Sequence, residues 1–312
     1  MNTEDYFLIK DTNINPESIK IPKLNEKEID LIQEYIEFAR HIQEIDQLFH
    51  IYKVNLDNLF INYEFINNDS FYKKNSKFKE KDDRIVINTL VINYISSAKT
   101  LIESINNFIR KKLGDEKYNM YKINCLSKIY DERFSYRLLI HLRDFAQHGH
   151  LPIHISLDNK CSFDLDHILN TPHFKHNEKL ESEMKSISSR IIKDFGDNPR
   201  IMFTRSIAEF EISVLEIYNY FIIEAILELQ KLRKKFDDLI NRRPDIIYKS
   251  EDALDGFILY TIIDGNVHCV DPRQNPIEMV ENIRDDIKIE LESLKKEFKE
   301  VFKMKIMKET KK

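Results

Sequence analysis

Tryptophan is absent, and 312 residues carry only five glycines and eight prolines. A chain so poor in the residues that turn and break the backbone is not a dense array of short strands. It is not a collagen-like or Gly/Pro-rich disordered polymer either. Cysteine is equally sparse: Cys125, Cys161 and Cys269 are odd in number and far apart. That spacing excludes a disulfide framework and a Cys-x-x-Cys metal knuckle, and a reducing cytoplasm is the expected compartment. A net charge of −5 excludes binding of nucleic acid through bulk positive charge and leaves only a local basic patch for that purpose. The opening residues MNTEDYFLIKDTN lack a basic stretch ahead of an apolar core, so no secretory signal is expected. Ile217 to Leu232 reads as the most apolar segment, and Glu224 and Glu228 interrupt it. No apolar run of about 18 residues is expected, hence a soluble protein without a membrane partner.

Ile, Leu, Glu and Lys are plentiful instead, and they recur at helical spacing. Asn25 with Glu28 predicts a capped start to a long helix running toward Phe60. The polar stretch FINNDSFYKKNSKFKEKDD reads as a loop or linker. Apolar period resumes at Asp83 and stops near Gly114, and a short helix or turn follows over 118–129. From Asp131 the set Phe134, Leu138, Leu142 and Phe145 marks one face of a helix that Gly149 and Pro152 end. Ile153, Ile155 and Leu157 then alternate, Asp158 to Lys160 offers a turn, and Phe163 and Leu165 alternate again, which predicts a hairpin. A helix over 177–195 and a longer one over 200–241 follow. A second hairpin is centred on Asp264 and Gly265, and a long helix closes the chain. The fold class is mainly α, an antiparallel helical bundle with one or two small β-hairpin insertions. The organisation divides into an N-terminal helical extension (1–80), a helical domain with its hairpin at 153–166 (81–243), and a hairpin plus long helix (244–312).

The helix over 131–148 ends in LRDFAQHGH, which gathers charged and imidazole groups. On a helical wheel Arg137, His141, Asp144 and His148 fall within about 60°, a polar stripe, while Arg143 lies about 140° around from His148 and about 7.5 Å along the axis. One helix therefore cannot aim Arg143 and His148 at one atom unless it unwinds at Gly149 or two copies of the helix pool their residues. Histidines at a helix C-terminus are drawn toward the cationic form by the carbonyl dipoles, and a neighbouring arginine opposes this. An imidazole balanced between the two suits proton transfer near neutrality. The guanidinium fork of arginine matches phosphate oxygens. Such a set suits RNA, whose 2′-hydroxyl supplies an internal nucleophile, with Asp144 orienting Arg143 or His148.

RDFAQH resembles the R-x4-6-H motif of the HEPN superfamily, in which the residue after the arginine is typically Asn, Asp or His. The resemblance implies an antiparallel helical bundle that forms a homodimer with the motifs facing one another. It also implies metal-independent endoribonuclease activity without a cofactor, leaving cyclic phosphate and 5′-hydroxyl ends. Toxins and antiphage or abortive-infection effectors are typical members, and an antitoxin or phage-derived regulator is the corresponding partner. By position Arg143, Asp144 and His148 are the catalytic trio. His150 satisfies the wider spacing, and His141 and Arg137 are possible auxiliaries.

Other readings accompany this one. Arg143 and His148 also fit an exposed helix end stabilised by cations, and a helical RNA-binding or dimerisation scaffold without catalysis retains the same pattern. His148, His150 and His154 lack any H-E-x-x-H signature, so no metal site is expected, and His154 is expected to face solvent from a strand. Arg233, Lys234, Lys235, Arg242 and Arg243 form a basic cluster that either compensates a helix dipole or contacts RNA backbone.

Overall fold

The computed structural model describes residues 5–9, 24–67, 83–147, 150–155, 161–171, 178–195, 199–243, 247–248, 258–263, 266–270 and 276–309. The protein is mainly α. Its helices are α1 (Glu26–Asn67), α2 (Asp83–Phe108), α3 (Asp115–Tyr121), α4 (Lys128–Glu132), α5 (Phe134–Gln147), α6 (Leu165–Asn170), α7 (Glu178–Phe195), α8 (Phe203–Arg242) and α9 (Pro276–Glu309). The strands are β1 (Asp5–Ile9), β2 (Ile153–Ile155), β3 (Cys161–Asp164), β4 (Arg200–Met202), β5 (Ile247–Tyr248), β6 (Ile258–Ile263) and β7 (Asn266–Val270). The chain divides into two compact units, Met1–Glu44 with Phe221–Lys288 and Ile45–Tyr220 with Ile289–Lys312. These units cut across the segments drawn from the sequence at 80 and 243.

In the first unit the expected cap is present. The Asn25 amide donates to Glu28 Oε2 (2.8 Å) and the Glu28 amide donates to Asn25 Oδ1 (3.1 Å), so two otherwise orphaned donors are satisfied reciprocally. Leu24, Ile32, Ile36, Phe236 and Leu239 form an apolar cluster, and Tyr35 stacks on Phe236 at 5.6 Å. A four-stranded sheet has the order β5-β1-β6-β7. The expected second hairpin is there as β6 antiparallel to β7, with Ile263 opposite Asn266. β1 pairs antiparallel with β6 and parallel with β5, and this joins the start of the chain to residues 247–263. The sequence reading did not anticipate β1, because five residues are too few to establish a period of two.

The second unit holds the motif. α2 runs into a π-helical turn, Ile109–Leu113, and ends at Gly114. The φ of +89° at Gly114 is one that residues with a Cβ rarely adopt. A second π-helical stretch, Lys122–Ser127, links α3 to α4. Aromatic side chains fill the interior: Phe49 stacks on Tyr218 at 4.1 Å, and Tyr94 packs edge-on to Phe210. Their polar tips are paired, Tyr218 donating to Asp46 (2.7 Å) and the Tyr52 and Tyr94 hydroxyls sharing a bond of 3.1 Å, as burial of a phenol demands. Lys53 lies between Glu211 (2.7 Å) and Glu290 (2.5 Å). Burial alone would depress this amine, and the two carboxylates outweigh it and raise its pKa.

Residues 84–113 form one helix long and apolar enough to cross a membrane, with a window of mean hydropathy 1.4 of which 44% is buried. The helical residues of α2 pack against α5 and β2. The small sheet of this unit has the order β2-β3-β4, so the expected hairpin gains a third strand. Residues 200–202, expected to open the long helix, supply that strand, and Leu165, expected in the hairpin, begins α6 instead. Ile153, Phe163 and Ile201 align in register on one face, with Ile153 and Phe163 buried. By the period of two, His154, Ser162, Asp164, Arg200 and Met202 share the other face. The polar stretch between α1 and α2 and the tips of both hairpins lie outside the described residues.

Candidate functional site at the end of α5

α5 forms because Tyr136, Leu138, Leu139, Leu142 and Phe145 supply an apolar stripe that the unit buries completely or nearly so. The rest of its surface does not behave as one polar face. Arg137, placed by the wheel on the solvent stripe and considered an auxiliary, is 2% exposed. Its Nε and Nη2 donate to Glu183 of α7 (2.9 and 2.6 Å), and its Nη1 donates to the Tyr130 carbonyl. The Arg137 guanidinium also lies over the Tyr130 ring. A buried guanidinium held by a carboxylate fork and a carbonyl is architecture. Each of its three nitrogens is engaged inside the protein, and the wheel misplaced it because amphipathic patterns count arginine as solvent-facing.

One and a half turns further along, the environment changes. Arg143 is half-buried, and its Nε is buried without a hydrogen-bond partner among the described residues. Asp144 is 43% exposed and makes a long ion pair of 3.4 Å with Lys99 of α2. His141 is half-buried on the preceding turn. His148 lies outside the described residues. His150 resumes the chain half-buried, its ring 5.1 Å from that of Phe145. Phe145 in turn meets the His167 ring edge-on at 5.9 Å. One buried phenyl ring thus has two imidazoles against it, His150 just ahead of β2 and His167 on α6.

The small sheet is secured by a residue the sequence reading passed over. Asn88 of α2 is fully buried. Its Oδ1 accepts from the Ile153 amide (2.8 Å) and its Nδ2 donates to the Ile153 carbonyl (3.2 Å) and to the Arg84 carbonyl (2.7 Å). The side-chain amide satisfies the free edge of β2 as a neighbouring strand would. His154 is thereby held beside the first turn of α2. Burial, and after it the charge of Arg200, push the His154 imidazole below its usual pKa; Asp164 opposes them, and Arg84 adds a smaller push in the same direction as Arg200. His154 is half-buried, where solvent exposure was expected. His167, expected in a loop, is the third residue of α6, and its amide donates to the N-cap carboxylate of Asp164 (2.9 Å). Asp-x-x-His ahead of an apolar pair was the available signal for that cap.

The basic cluster of α8 belongs to the first unit, and most of it is engaged. Arg233 Nε donates to Asp237 (2.8 Å), Arg242 Nε to the Asp238 carbonyl (3.1 Å), and Arg243 Nη1 to Glu28 (2.9 Å). Lys234 and Lys235 are exposed. Among the described residues, no three His, Cys, Asp or Glu side chains converge as a metal would require. Compared with models of protein families, with curated proteins and with solved structures, the chain finds no match.

Proposed function

We propose that this protein is a metal-independent endoribonuclease of the HEPN type, working as a cytoplasmic homodimer in a toxin or antiphage role. The reading is carried by Arg143: an arginine at the end of an amphipathic helix, with a desolvated Nε that no described side chain uses, beside a half-exposed acid. A buried cationic donor without a partner costs free energy, about 1–3 kcal/mol even for a neutral group. Sites for anionic ligands commonly retain that kind of cost. The contrast with Arg137, whose three nitrogens are all engaged, supports assigning chemistry to one arginine and packing to the other.

In the reaction the 2′-oxygen attacks phosphorus, the bond from phosphorus to the 5′-oxygen breaks, and a cyclic phosphate forms. A histidine, His148 or His150, takes the 2′-hydroxyl proton, and its counterpart from the second protomer protonates the departing 5′-oxygen. Arg143 stabilises the charge on the phosphoryl oxygens, and Asp144 orients it. An antitoxin or a phage-derived molecule restrains or triggers the activity.

Purified protein incubated with total RNA in chelator tests this. Wild type cuts, and Arg143→Ala and His148→Ala lose cutting while keeping fold and dimer. Intact RNA under every condition leaves the helical scaffold as the surviving reading.

A further inference from the structure

At the opposite end of α5 from RDFAQH lies a cavity of about 300 Å³ that the reaction above does not use. Its walls are largely apolar and aromatic: Ile102 from α2, Tyr118 from α3, Leu126 from the second π-helical stretch, Tyr130 from α4 and Tyr136 from the first turn of α5. Two of these rings are braced by neighbours, Tyr130 by the Arg137 guanidinium at 5.8 Å and Tyr136 by the ring of Phe210, stacked at 5.9 Å. Asn106 of α2 also lines the cavity, and its Oδ1 is buried without a hydrogen-bond partner among the described residues. Lys122 and Asp131 line it too and are exposed. Asp131 is ion-paired with Lys179 at 2.7 Å.

We propose that this cavity binds a nucleobase, with the attached phosphate on Lys122. The volume suits a single planar ring system, and the tyrosine rings offer it stacking while Ile102 and Leu126 offer apolar contact. Stacking alone accepts any flat ring, and the Asn106 amide narrows the choice. Every nucleobase carries a donor beside an acceptor on its edge, and a side-chain amide matches such a pair with two hydrogen bonds. The terminal torsion of asparagine is soft, so a small rotation turns the buried Oδ1 toward a ligand N–H. The charge of the segment fits the rest of a nucleotide. Residues 110–128 carry six cations against two carboxylates in a chain of net charge −5. Arg110, Lys111, Lys112, Lys122 and Lys128 are exposed, and Lys122 is the one that lines the cavity.

The backbone around the cavity is irregular in the same places. α2 passes into its π-helical turn three residues after Asn106, and the second π-helical stretch, Lys122–Ser127, brings Lys122 and Leu126 to the wall. A π turn holds an extra residue and so re-aims the side chains around it, and such turns recur at functional sites. The unpaired Asn106 acceptor lowers stability, and an apolar side chain of similar shape relieves that cost. Binding and stability therefore pull in opposite directions at this residue. None of these residues belongs to RDFAQH, so the cavity stands whether or not the chain cuts RNA.

The experiment titrates the full-length protein by calorimetry with each of the four ribonucleoside 5′-monophosphates, with the matching nucleosides and with inorganic phosphate. The expected result is saturable binding of at least one nucleotide, weaker binding of its nucleoside and none of phosphate alone. Lys122→Gln brings the nucleotide down to the affinity of the nucleoside. Asn106→Leu weakens both about tenfold or more, while its urea midpoint holds or rises. Tyr118 is half-buried, and Tyr118→Leu provides a second variant that removes a stacking ring. A non-cleavable 2′-O-methyl oligoribonucleotide identifies the source of the base. Tighter binding than the mononucleotide assigns the cavity to a strand, and weaker binding assigns it to a free nucleotide. Binding that persists in Arg143→Ala separates the cavity from the cleavage site. No saturable binding of any nucleotide or oligonucleotide, affinity unchanged in both Asn106→Leu and Tyr118→Leu, or a urea midpoint that falls in Asn106→Leu, overturns the proposal.

Discussion

The two ends of α5 use the same residue type differently. Near its start Arg137 is enclosed, with Glu183 and the Tyr130 carbonyl occupying its donors. Near its end Arg143 has a buried Nε with no partner among the described residues, and its neighbour Asp144 is tied only loosely to Lys99. A guanidinium whose every nitrogen is engaged locks two helices together. Arg143, left partly unmatched, is the arginine to which we assign ligand binding. The difference lies in what the rest of the unit brings to each position, since the helix backbone is the same at both.

The comparison is most exposed at Arg143. Replacing it with alanine is expected to lower RNA cleavage by about 10²–10³-fold, the usual loss when a donor to a developing oxyanion is removed. Folding stability, followed by urea denaturation, should change little. An unfolding cost as large as that at Arg137 would erase the distinction between the two. Arg137→Met is expected to cost about 3 kcal/mol, because Glu183 and the Tyr130 carbonyl lose their partner in a mostly buried setting. Double substitution of Arg137 and Glu183 should recover part of that loss, which a double-mutant cycle measures.

How much of this was written in the chain depends on how far away each partner lies. The Asn25–Glu28 cap, the stop at Gly114, the helix ending in RDFAQH and both hairpins are local, and their signals lie within a few residues. The role of Arg137 is not local, since Glu183 comes from a helix 46 residues further on. No wheel drawn on α5 alone contains it. β1 and β4 are likewise short strands whose partners decide them. Asn88 is hidden for the same reason: within α2 it reads as a polar interruption of an apolar face, and only the edge of β2, 65 residues away, gives it a purpose. Within the candidate site, Arg143 and Asp144 are singled out by their spacing, which carries no sign that the Arg143 Nε is buried without a partner among the described residues. The cavity lined by Asn106, Tyr118, Lys122 and Tyr136 is not written there either, because separate helices assemble it.

Smaller effects sharpen the contrast further. Asn88→Leu should cost about 2 kcal/mol by stranding the Ile153 amide and carbonyl, and it should displace the His154 NMR signals while leaving those of α5 in place. Asp144→Asn should cost under about 1 kcal/mol, since the Lys99 pair is long and half-exposed. The least effect concerns pH. The His154 pKa in the folded protein lies below the unfolded value near 6.5, so as pH falls the unfolded chain takes up the proton first. Stability from this residue is complete above the ordinary imidazole range and declines as pH drops through about 6.5 toward the folded pKa. Urea midpoints collected across this range should show that decline, and His154→Gln should flatten it.

The most direct measurement is the chemistry of the cut itself: purified protein with RNA in excess chelator, the product ends identified by mass spectrometry, wild type beside Arg143→Ala. The account predicts 2′,3′-cyclic phosphate and 5′-hydroxyl ends from the wild type and their near absence from the variant. RNA left intact by the wild type, or cut equally by a folded Arg143→Ala protein, would contradict it.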